Sequence, residues 1–265
     1  MSDENEQVDQ TRMSLGEHLE ELRRRLIYAL VGLAAAACVG LAAAKWIIVA
    51  LERPYRQAAE QLGRQDVGLT VLSIAGGLGV YMKVSLYFGL LLAGPWILYH
   101  LWAFVSAGLY RRERHVVWYT LPFIAVLFLG GAAFFYWLVA ARVVRYLLQL
   151  SIWLELTPIV TLDNHVGFML KMMLAFGLAF QTPLAVLLLA KVGLVDMRWL
   201  RGHRRHVIVA ILVFAAFITP PDALSMLALA LPMWALYELG VLLAHLLVFR
   251  RQSTESTEST EGRAG

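Results

Sequence analysis

Long apolar runs separated by short polar segments dominate the sequence. Four of these runs are long enough to cross a hydrocarbon core as a helix, which takes about 20 residues. They are residues 26–50, 80–104, 116–141 and 166–190. Two shorter or interrupted runs follow, residues 207–219 and residues 224–249. Since a backbone in lipid must satisfy its own hydrogen bonds, the pattern predicts an all-α polytopic membrane protein with six transmembrane helices, the last two short.

A charged segment, SLGEHLEELRRRL at residues 14–26, precedes the first run. Its leucines recur on one stripe of a helix, which predicts an N-terminal amphipathic helix at the membrane surface. Those leucines are Leu15, Leu19, Leu22 and Leu26. Ser14 fits the first position of a capping box, so the helix is expected to start there. Two acid-first ion pairs are expected at i, i+4 spacing: Glu20 with Arg24, and Glu21 with Arg25.

The polar segments between the runs predict the connections. Residues 51–79 are expected to form a short helix and irregular chain, and residues 142–165 contain the amphipathic stretch RVVRYLLQL. Asp163 comes just before the fourth run and is a candidate N-cap for its helix. Glu238 lies inside the last run, where we expect it to pair with a basic residue of the preceding loop.

Composition supports the membrane assignment. Of the 265 residues, 60% are hydrophobic and 16% are charged, against roughly half and a quarter in soluble proteins. We expect no separate soluble domain. The membrane domain is predicted to comprise residues 14–251, between disordered cytoplasmic tails at residues 1–13 and 252–265. The polar start and the length of the first run predict a retained signal anchor rather than a cleaved signal peptide.

Basic residues are divided unequally between the two sides of the predicted membrane domain. One side carries most of them: Arg12, Arg23, Arg24, Arg25, Arg111, Arg112, Arg114, Lys191, Arg198, Arg201, Arg204, Arg205, Arg250 and Arg251. The loops of the other side carry Arg53, Arg56, Arg64, Arg142 and Arg145. The positive-inside rule therefore predicts a multi-pass membrane protein with both termini cytoplasmic. Topology and membrane lipids account for the net charge of +4, so no nucleic-acid partner is expected.

Motifs for catalysis or metal binding do not occur in the sequence. Cys38 is the single cysteine and lies in the first run, which excludes a disulfide framework and a Cys-based metal site. There is no HExxH pattern, no Gly-Ser elbow and no clustered His/Asp set. We therefore expect no enzymatic activity, no cofactor and no metal. An alternative function is a small-solute or ion transporter with broken helices, although no internal repeat relates the two halves.

Four ordered motifs resemble the TatC family, the receptor component of the twin-arginine protein translocase. They are HLEELRRRL at residues 18–26, WAFVSAGLYRRER at 102–114, AFGLAFQTPLAV at 175–186, and ITPPDALS with LYELGVLL at 218–225 and 236–243. The resemblance spans nearly the whole chain in the right order. It implies a signal-peptide receptor and core subunit of a translocase that exports folded proteins and is driven by the proton-motive force. It also implies a location in the plasma (inner) membrane and a hetero-oligomer of multiple copies with single-span TatA/TatB-type partners.

The resemblance assigns roles to residues at the matching motif positions. It implies that the twin-arginine signal peptide is bound at the cytoplasmic face by Glu21, Arg23, Phe104 and Glu113. It places Gln181 and Asp222 at the intramembrane polar positions that dock partners. A carboxylate accepts a bidentate fork from a guanidinium, so arginine suits such a site better than lysine.

Each of these residues also has a structural alternative. Glu21 and Glu113 have basic neighbours and could form internal ion pairs, and Arg23 could be a topogenic charge. Phe104 suits an interfacial aromatic anchor. Gln181 could form an interhelical hydrogen bond, and Asp222 could cap the last helix.

Overall fold

The computed structural model describes residues 15–64, 68–107, 111–191, 195, 197–219 and 222–246. These residues form helices, with one isolated β-bridge and no strand. The chain divides into two units, Met1–Ala175 and Phe176–Gly265. Within the described residues, five helical stretches are long and apolar enough to cross a membrane: Gly16–Gln61, Gly76–Phe104, Pro122–Trp153, Leu162–Lys191 and Ala223–Ala244. The chain is thus an all-helical, multi-pass membrane protein, whereas the count of six spans and the orientation of the termini stay predictions.

The first helix, α1, spans Leu15–Gln61 and contains 47 residues. At 1.5 Å per residue it is about 70 Å long, more than twice a hydrocarbon core of about 30 Å. The charged segment and the first apolar run form one continuous helix, so the predicted amphipathic helix is the first part of a longer element. No proline interrupts the chain between Leu15 and Pro54, so nothing in this stretch breaks the helix. The capping box at Ser14 and both predicted tails lie outside the described residues.

Pro54 lies inside α1, and two distant side chains compensate for it. Proline has no N–H group and its ring crowds the preceding turn, so the carbonyl groups of that turn need other partners. The hydroxyl of Tyr136 donates to the Ala50 oxygen at 2.8 Å, and His165 Nε2 donates to the Leu51 oxygen at 2.9 Å. The helix therefore continues through the proline instead of ending where the first apolar run ends.

The second helix, α2 (Gly76–Ala107), runs antiparallel to α1, with the two backbones in close contact. A Cβ atom added to Gly40 would lie 2.5 Å from the carbonyl oxygen of Ser85, and one added to Gly89 would lie 2.7 Å from the Cα atom of Ala37. Lipid tails are as apolar as leucine, so helices in a membrane associate through close packing at small residues. These glycines therefore fix both the separation and the register of α1 and α2.

The third apolar run continues farther than predicted. Helix α3 (Arg111–Phe134) is followed without a break by a π-helical turn, Phe135–Val139, and by α4 (Ala140–Trp153). The RVVRYLLQL stretch is thus helical and amphipathic, as predicted. Its buried face, Val144 and Leu148, packs against Tyr55 and Ala58 of α1.

The connection into α5 (Leu162–Ala179) differs from the prediction at its first residues. Thr70 and Thr161 form a parallel β-bridge. The Thr161 hydroxyl accepts the backbone N–H of Asn164 at 3.2 Å, which is the contact of an N-cap. Asp163 is therefore not the cap: it lies within the first turn, and its carboxylate binds Lys83 Nζ at 2.5 Å. The long-range ion pair decides the role of Asp163, and sequence spacing does not reveal it.

Among the described residues of the second unit, four helices follow the end of α5. They are α6 (Thr182–Lys191), α7 (Met197–Gly202), α8 (Arg204–Ile218) and α9 (Ala223–Ala244). With 15 residues, α8 reaches about 22 Å at 1.5 Å per residue, which is short of a full crossing. The prediction that the last helix is also short is wrong, since α9 has 22 residues and continues through Pro232. Proline is tolerated in membrane helices where neighbouring groups meet the freed backbone.

Close packing also joins α6 to α9 within this unit. A Cβ atom added to Gly240 would lie 2.8 Å from the Cα atom of Pro183. Beside this contact, the Tyr237 hydroxyl donates to the Leu200 oxygen at 2.8 Å. Val186 and Val241 belong to the same buried apolar cluster. The hydrogen bond to Leu200 thereby connects α7 to α9.

Alanine substitution of the α1–α2 glycines should lower stability, in contrast to the usual effect of alanine in a helix. At Gly40 or Gly89 the added methyl meets backbone atoms that cannot rotate away, so we expect a loss of about 1–3 kcal/mol. Gly130 of α3 is the matched control, because an added Cβ there meets nothing within 4 Å. Gly130→Ala should be neutral or stabilising by about 0.5–1 kcal/mol. Thermal unfolding of the purified variants in detergent measures both, and equal effects at Gly40 and Gly130 would contradict the proposed packing.

Candidate functional site

Glu21 has a buried carboxylate near the start of α1. The residue is 6% exposed. Arg25 Nε donates to one carboxylate oxygen at 2.7 Å, which confirms the predicted Glu21–Arg25 pair. Arg24 donates to the other oxygen, so its predicted pairing with Glu20 is wrong. The carboxylate is therefore held by two guanidinium groups of its own chain, as the internal ion-pair alternative requires.

Phe104, near the end of α2, lies against the first turns of α1. Its ring stacks on the imidazole of His18 with the centroids 4.5 Å apart. His18 and Glu21 are three residues apart and share one face of α1. The structure thus brings Phe104 and Glu21 to the same patch. Sequence reasoning missed His18, although its spacing from Glu21 is a signal that could have pointed to it.

The two remaining signal-peptide candidates have less structural detail. Arg23 is exposed on α1, next to the Glu21 pair in sequence. Glu113 lies in the first turn of α3, so the RRER segment is helical rather than part of a loop. Its side chain lies outside the described residues. The backbone of α3 starts four residues after α2 ends at Ala107.

An aromatic layer lies one to two turns deeper between α1 and α2. The Trp96 indole N–H donates to the Tyr28 carbonyl oxygen at 3.0 Å. The imidazole of His100 contacts three rings, with centroid distances of 4.6 Å to Trp96, 4.8 Å to Tyr99 and 5.7 Å to Tyr28. A Cβ atom added to Gly32 would lie 2.4 Å from Trp96 Cδ1, so this layer also needs a glycine on α1.

Gln181 is buried at an interruption of the fourth span. It lies between the end of α5 at Ala179 and the start of α6 at Thr182, with Pro183 following. Its backbone N–H donates to the Leu178 oxygen at 3.0 Å, and its carbonyl accepts from Ala185 N–H at 2.8 Å. The backbone of the interruption is thus satisfied locally, and a polar side chain is placed between two helices.

Asp222 caps the last helix, as its structural alternative predicts. Its Oδ1 atom accepts the backbone N–H of Ser225 at 2.7 Å. Among the described residues, Asp222 Oδ2 and the hydroxyl of Ser225 are buried without hydrogen-bond partners. In the second half of α9, Glu238 accepts a hydrogen bond from Arg204 at 2.8 Å, which confirms the prediction that it pairs with a basic residue of the polar segment before the fifth apolar run.

The candidate residues thus fall into two groups. The first group, Glu21 and Phe104 with the first turn of α3 close in sequence, lies in the first unit and offers a carboxylate beside an aromatic ring. Gln181 and Asp222 lie in the second unit and offer buried polar atoms at helix ends. The first group suits a guanidinium ligand, because a carboxylate and an aromatic face both attract that cation.

Comparison with known proteins gives consistent matches. The family model "Sec-independent protein translocase protein (TatC)" matches residues 17–232. The chain is 33% identical to the Sec-independent protein translocase protein TatCy of Bacillus subtilis strain 168 over 247 residues, covering 93% of this chain and 94% of that protein. It is 36% identical to the TatC protein of Koribacter versatilis strain Ellin345 over 260 residues, covering 94% and 92%.

A solved structure agrees with these sequence matches. The crystal structure of a twin arginine translocase receptor, TatC, superposes with a TM-score of 0.76 at 32% sequence identity. The superposition covers 86% of this chain and 99% of the crystallised one. The helical arrangement is therefore similar in the two proteins over most of their length.

The contact between His18 and Phe104 can be tested by cross-linking. In a Cys38→Ala background, His18→Cys and Phe104→Cys should join efficiently through a short bismaleimide, because the native rings lie 4.5 Å apart. Val39→Cys with Phe104→Cys is the control, since Val39 lies 21 residues farther along α1, about 31 Å at 1.5 Å per residue. Gel mobility of membrane-inserted protein reports the product. Equal yields from the two pairs would refute the assigned register.

Proposed function

The chain belongs to the TatC family of Sec-independent protein translocase proteins, and we propose that it is the receptor for twin-arginine signal peptides. We further propose that it forms the core of a translocase that exports folded proteins with the proton-motive force. Its termini are cytoplasmic, and its partners are single-span TatA/TatB-type proteins. The matches to protein translocase components favour this function over a small-solute or ion transporter and over an enzyme.

The observation that carries the proposal is the patch formed by Glu21 and Phe104. A buried carboxylate needs a hydrogen-bonded cationic partner. At Glu21 that partner is arginine, the residue whose planar donors fit both carboxylate oxygens. The stacked ring of Phe104 supplies an apolar surface beside it. A signal peptide with paired arginines and an apolar segment matches both features.

Binding at Glu21 would be an exchange of guanidinium groups. A ligand arginine replaces Arg24 or Arg25, so the Glu21 carboxylate stays paired throughout the exchange. The side chain of Arg24 is 61% exposed and that of Arg25 is 16% exposed, so a displaced Arg24 can turn into solvent, whereas a displaced Arg25 stays mostly buried. Glu113 receives the second arginine of the pair. Arg23 keeps the patch basic enough that only a ligand offering bidentate contacts competes.

The second unit supplies the proposed partner contacts. Gln181 places a polar side chain at the interruption of the fourth span, and polar groups at that depth face protein or water rather than lipid. One carboxylate oxygen of Asp222 caps α9, and the other has no hydrogen-bond partner among the described residues. We propose that a partner helix takes up these polar groups. The broken helix would equally suit a solute site, which the family match disfavours.

Loss of Glu113 should abolish signal-peptide binding. Glu113→Ala removes a carboxylate from the first turn of α3, so we expect a twin-arginine precursor carrying a photoreactive residue beside the arginine pair to lose its crosslink. Membrane insertion should be unchanged, because the substitution removes no apolar surface.

The matched control is Glu20→Ala, which removes an exposed acid from α1 and should retain the crosslink. A precursor with lysines in place of the arginine pair should fail to crosslink to the native chain, just as the twin-arginine precursor should fail to crosslink to Glu113→Ala. Full crosslinking to Glu113→Ala would refute the assigned role.

Replacement of Gln181 tests the proposed docking point. Gln181→Leu keeps the size of the side chain but removes its polar atoms, so crosslinks to a single-span partner and transport should both fall. Gln181→Glu is the control, since it retains a polar side chain of the same shape and should keep the crosslinks. Undiminished transport by Gln181→Leu would leave the residue with a packing role alone.

A further inference from the structure

His100 is a buried histidine whose ring nitrogens make no hydrogen bond to any described residue. The residue is 5% exposed, and neither Nδ1 nor Nε2 has a hydrogen-bond partner among the described residues. A buried polar atom without a partner costs about 1–3 kcal/mol. A phenylalanine would fill the same aromatic layer without that cost, so packing alone does not explain an imidazole at this position.

The position of His100 connects it to the Glu21 patch. It precedes Phe104 by four residues, so the two lie on one face of α2. On α1, Arg25 precedes Tyr28 by three residues, and the ring of Tyr28 contacts the imidazole. The charges of Arg25 and Glu21 both act on His100. The imidazole therefore lies about one helical turn from the Glu21–Arg25 ion pair.

The exchange at Glu21 raises the question of which acceptor a displaced arginine of this chain finds. Arg24 can turn into solvent when it is displaced, because its side chain is 61% exposed. Arg25 is only 16% exposed, and a buried guanidinium that loses its carboxylate needs another acceptor. The Tyr28 carbonyl nearby is already engaged by the Trp96 indole. A neutral imidazole has one acceptor nitrogen, and that of His100 is free among the described residues.

We propose that His100 is a positioning residue. Once a ligand guanidinium has replaced Arg25 at Glu21, the His100 ring accepts a hydrogen bond from the displaced Arg25 guanidinium. The inference rests on the proposed function, because it requires an arginine-bearing ligand at that carboxylate. His100 does not touch the ligand. It lowers the cost of opening the internal ion pair and so sets how well a ligand competes with Arg25.

Two variants separate an acceptor from a packing role. His100→Phe keeps a ring in the aromatic layer and removes the acceptor, whereas His100→Gln keeps an acceptor. We expect the affinity of the purified chain in detergent for a fluorescent peptide with paired arginines to fall about tenfold in His100→Phe, equivalent to about 1.4 kcal/mol. His100→Gln should stay close to the native affinity. The thermal stability of His100→Phe should be equal or higher, because an unpaired buried polar group is gone.

The Arg25→Ala background provides the sharpest control. Without Arg25 there is no displaced guanidinium to receive, so His100→Phe should cause no further loss of affinity in that background. The same tenfold loss in both backgrounds would overturn the inference, and so would an unchanged affinity in the native background. A fall in stability that parallels the fall in affinity would also overturn it, since a packing role would then suffice.

The test also distinguishes this inference from the proposed function. If the native chain binds the paired-arginine peptide no better than a lysine peptide, both fail together. If the native chain discriminates and Glu113→Ala abolishes binding while His100→Phe binds normally, only the role of His100 fails. Should His100→Phe not fold, the nitrogen-15 shifts of the His100 ring in the native chain must change on peptide addition. Unchanged shifts would overturn the inference.

Discussion

The glycine-mediated contact between α1 and α2 is the constraint on which the first unit depends. Lipid offers two apolar helices no hydrophobic reason to choose one register over another, so the register must come from shape. Backbone contact at Gly40 and Gly89 leaves little freedom to slide. That register is what brings Trp96 over Gly32 and stacks Phe104 on His18. The patch formed by Glu21 and Phe104 is therefore a product of packing far deeper in the helix pair.

The charge arrangement at the patch reflects the burial of Glu21. Its carboxylate lies on the face of α1 that also carries His18, and a buried carboxylate requires a paired cation. The chain provides Arg24 and Arg25, whose guanidinium groups are the same as those of the proposed ligand. Under the proposed function, such a site rejects ligands that offer weaker geometry than its own arginines. Its specificity would then depend on competition as much as on attraction.

Local spacing predicted the features that involve one helix, and it failed where distant residues decide. The apolar runs gave the membrane class, and i, i+4 spacing gave the Glu21–Arg25 pair. The position of Asp163 just before an apolar run predicts a cap, and nothing in that local spacing shows that Lys83 lies beside it in space. His100 and its ring contacts could not be predicted, because they depend on the register between two helices rather than on periodicity within one.

The compensation at Pro54 has a consequence for the order in which the protein is made. The carbonyl groups of Ala50 and Leu51 are met by side chains 86 and 114 residues later in the chain. When α1 leaves the ribosome, neither partner has been synthesised. The two hydrogen bonds at the far end of α1 can therefore both be present only after the chain has been synthesised past His165. The first helix to be inserted is thus among the last to reach its final form.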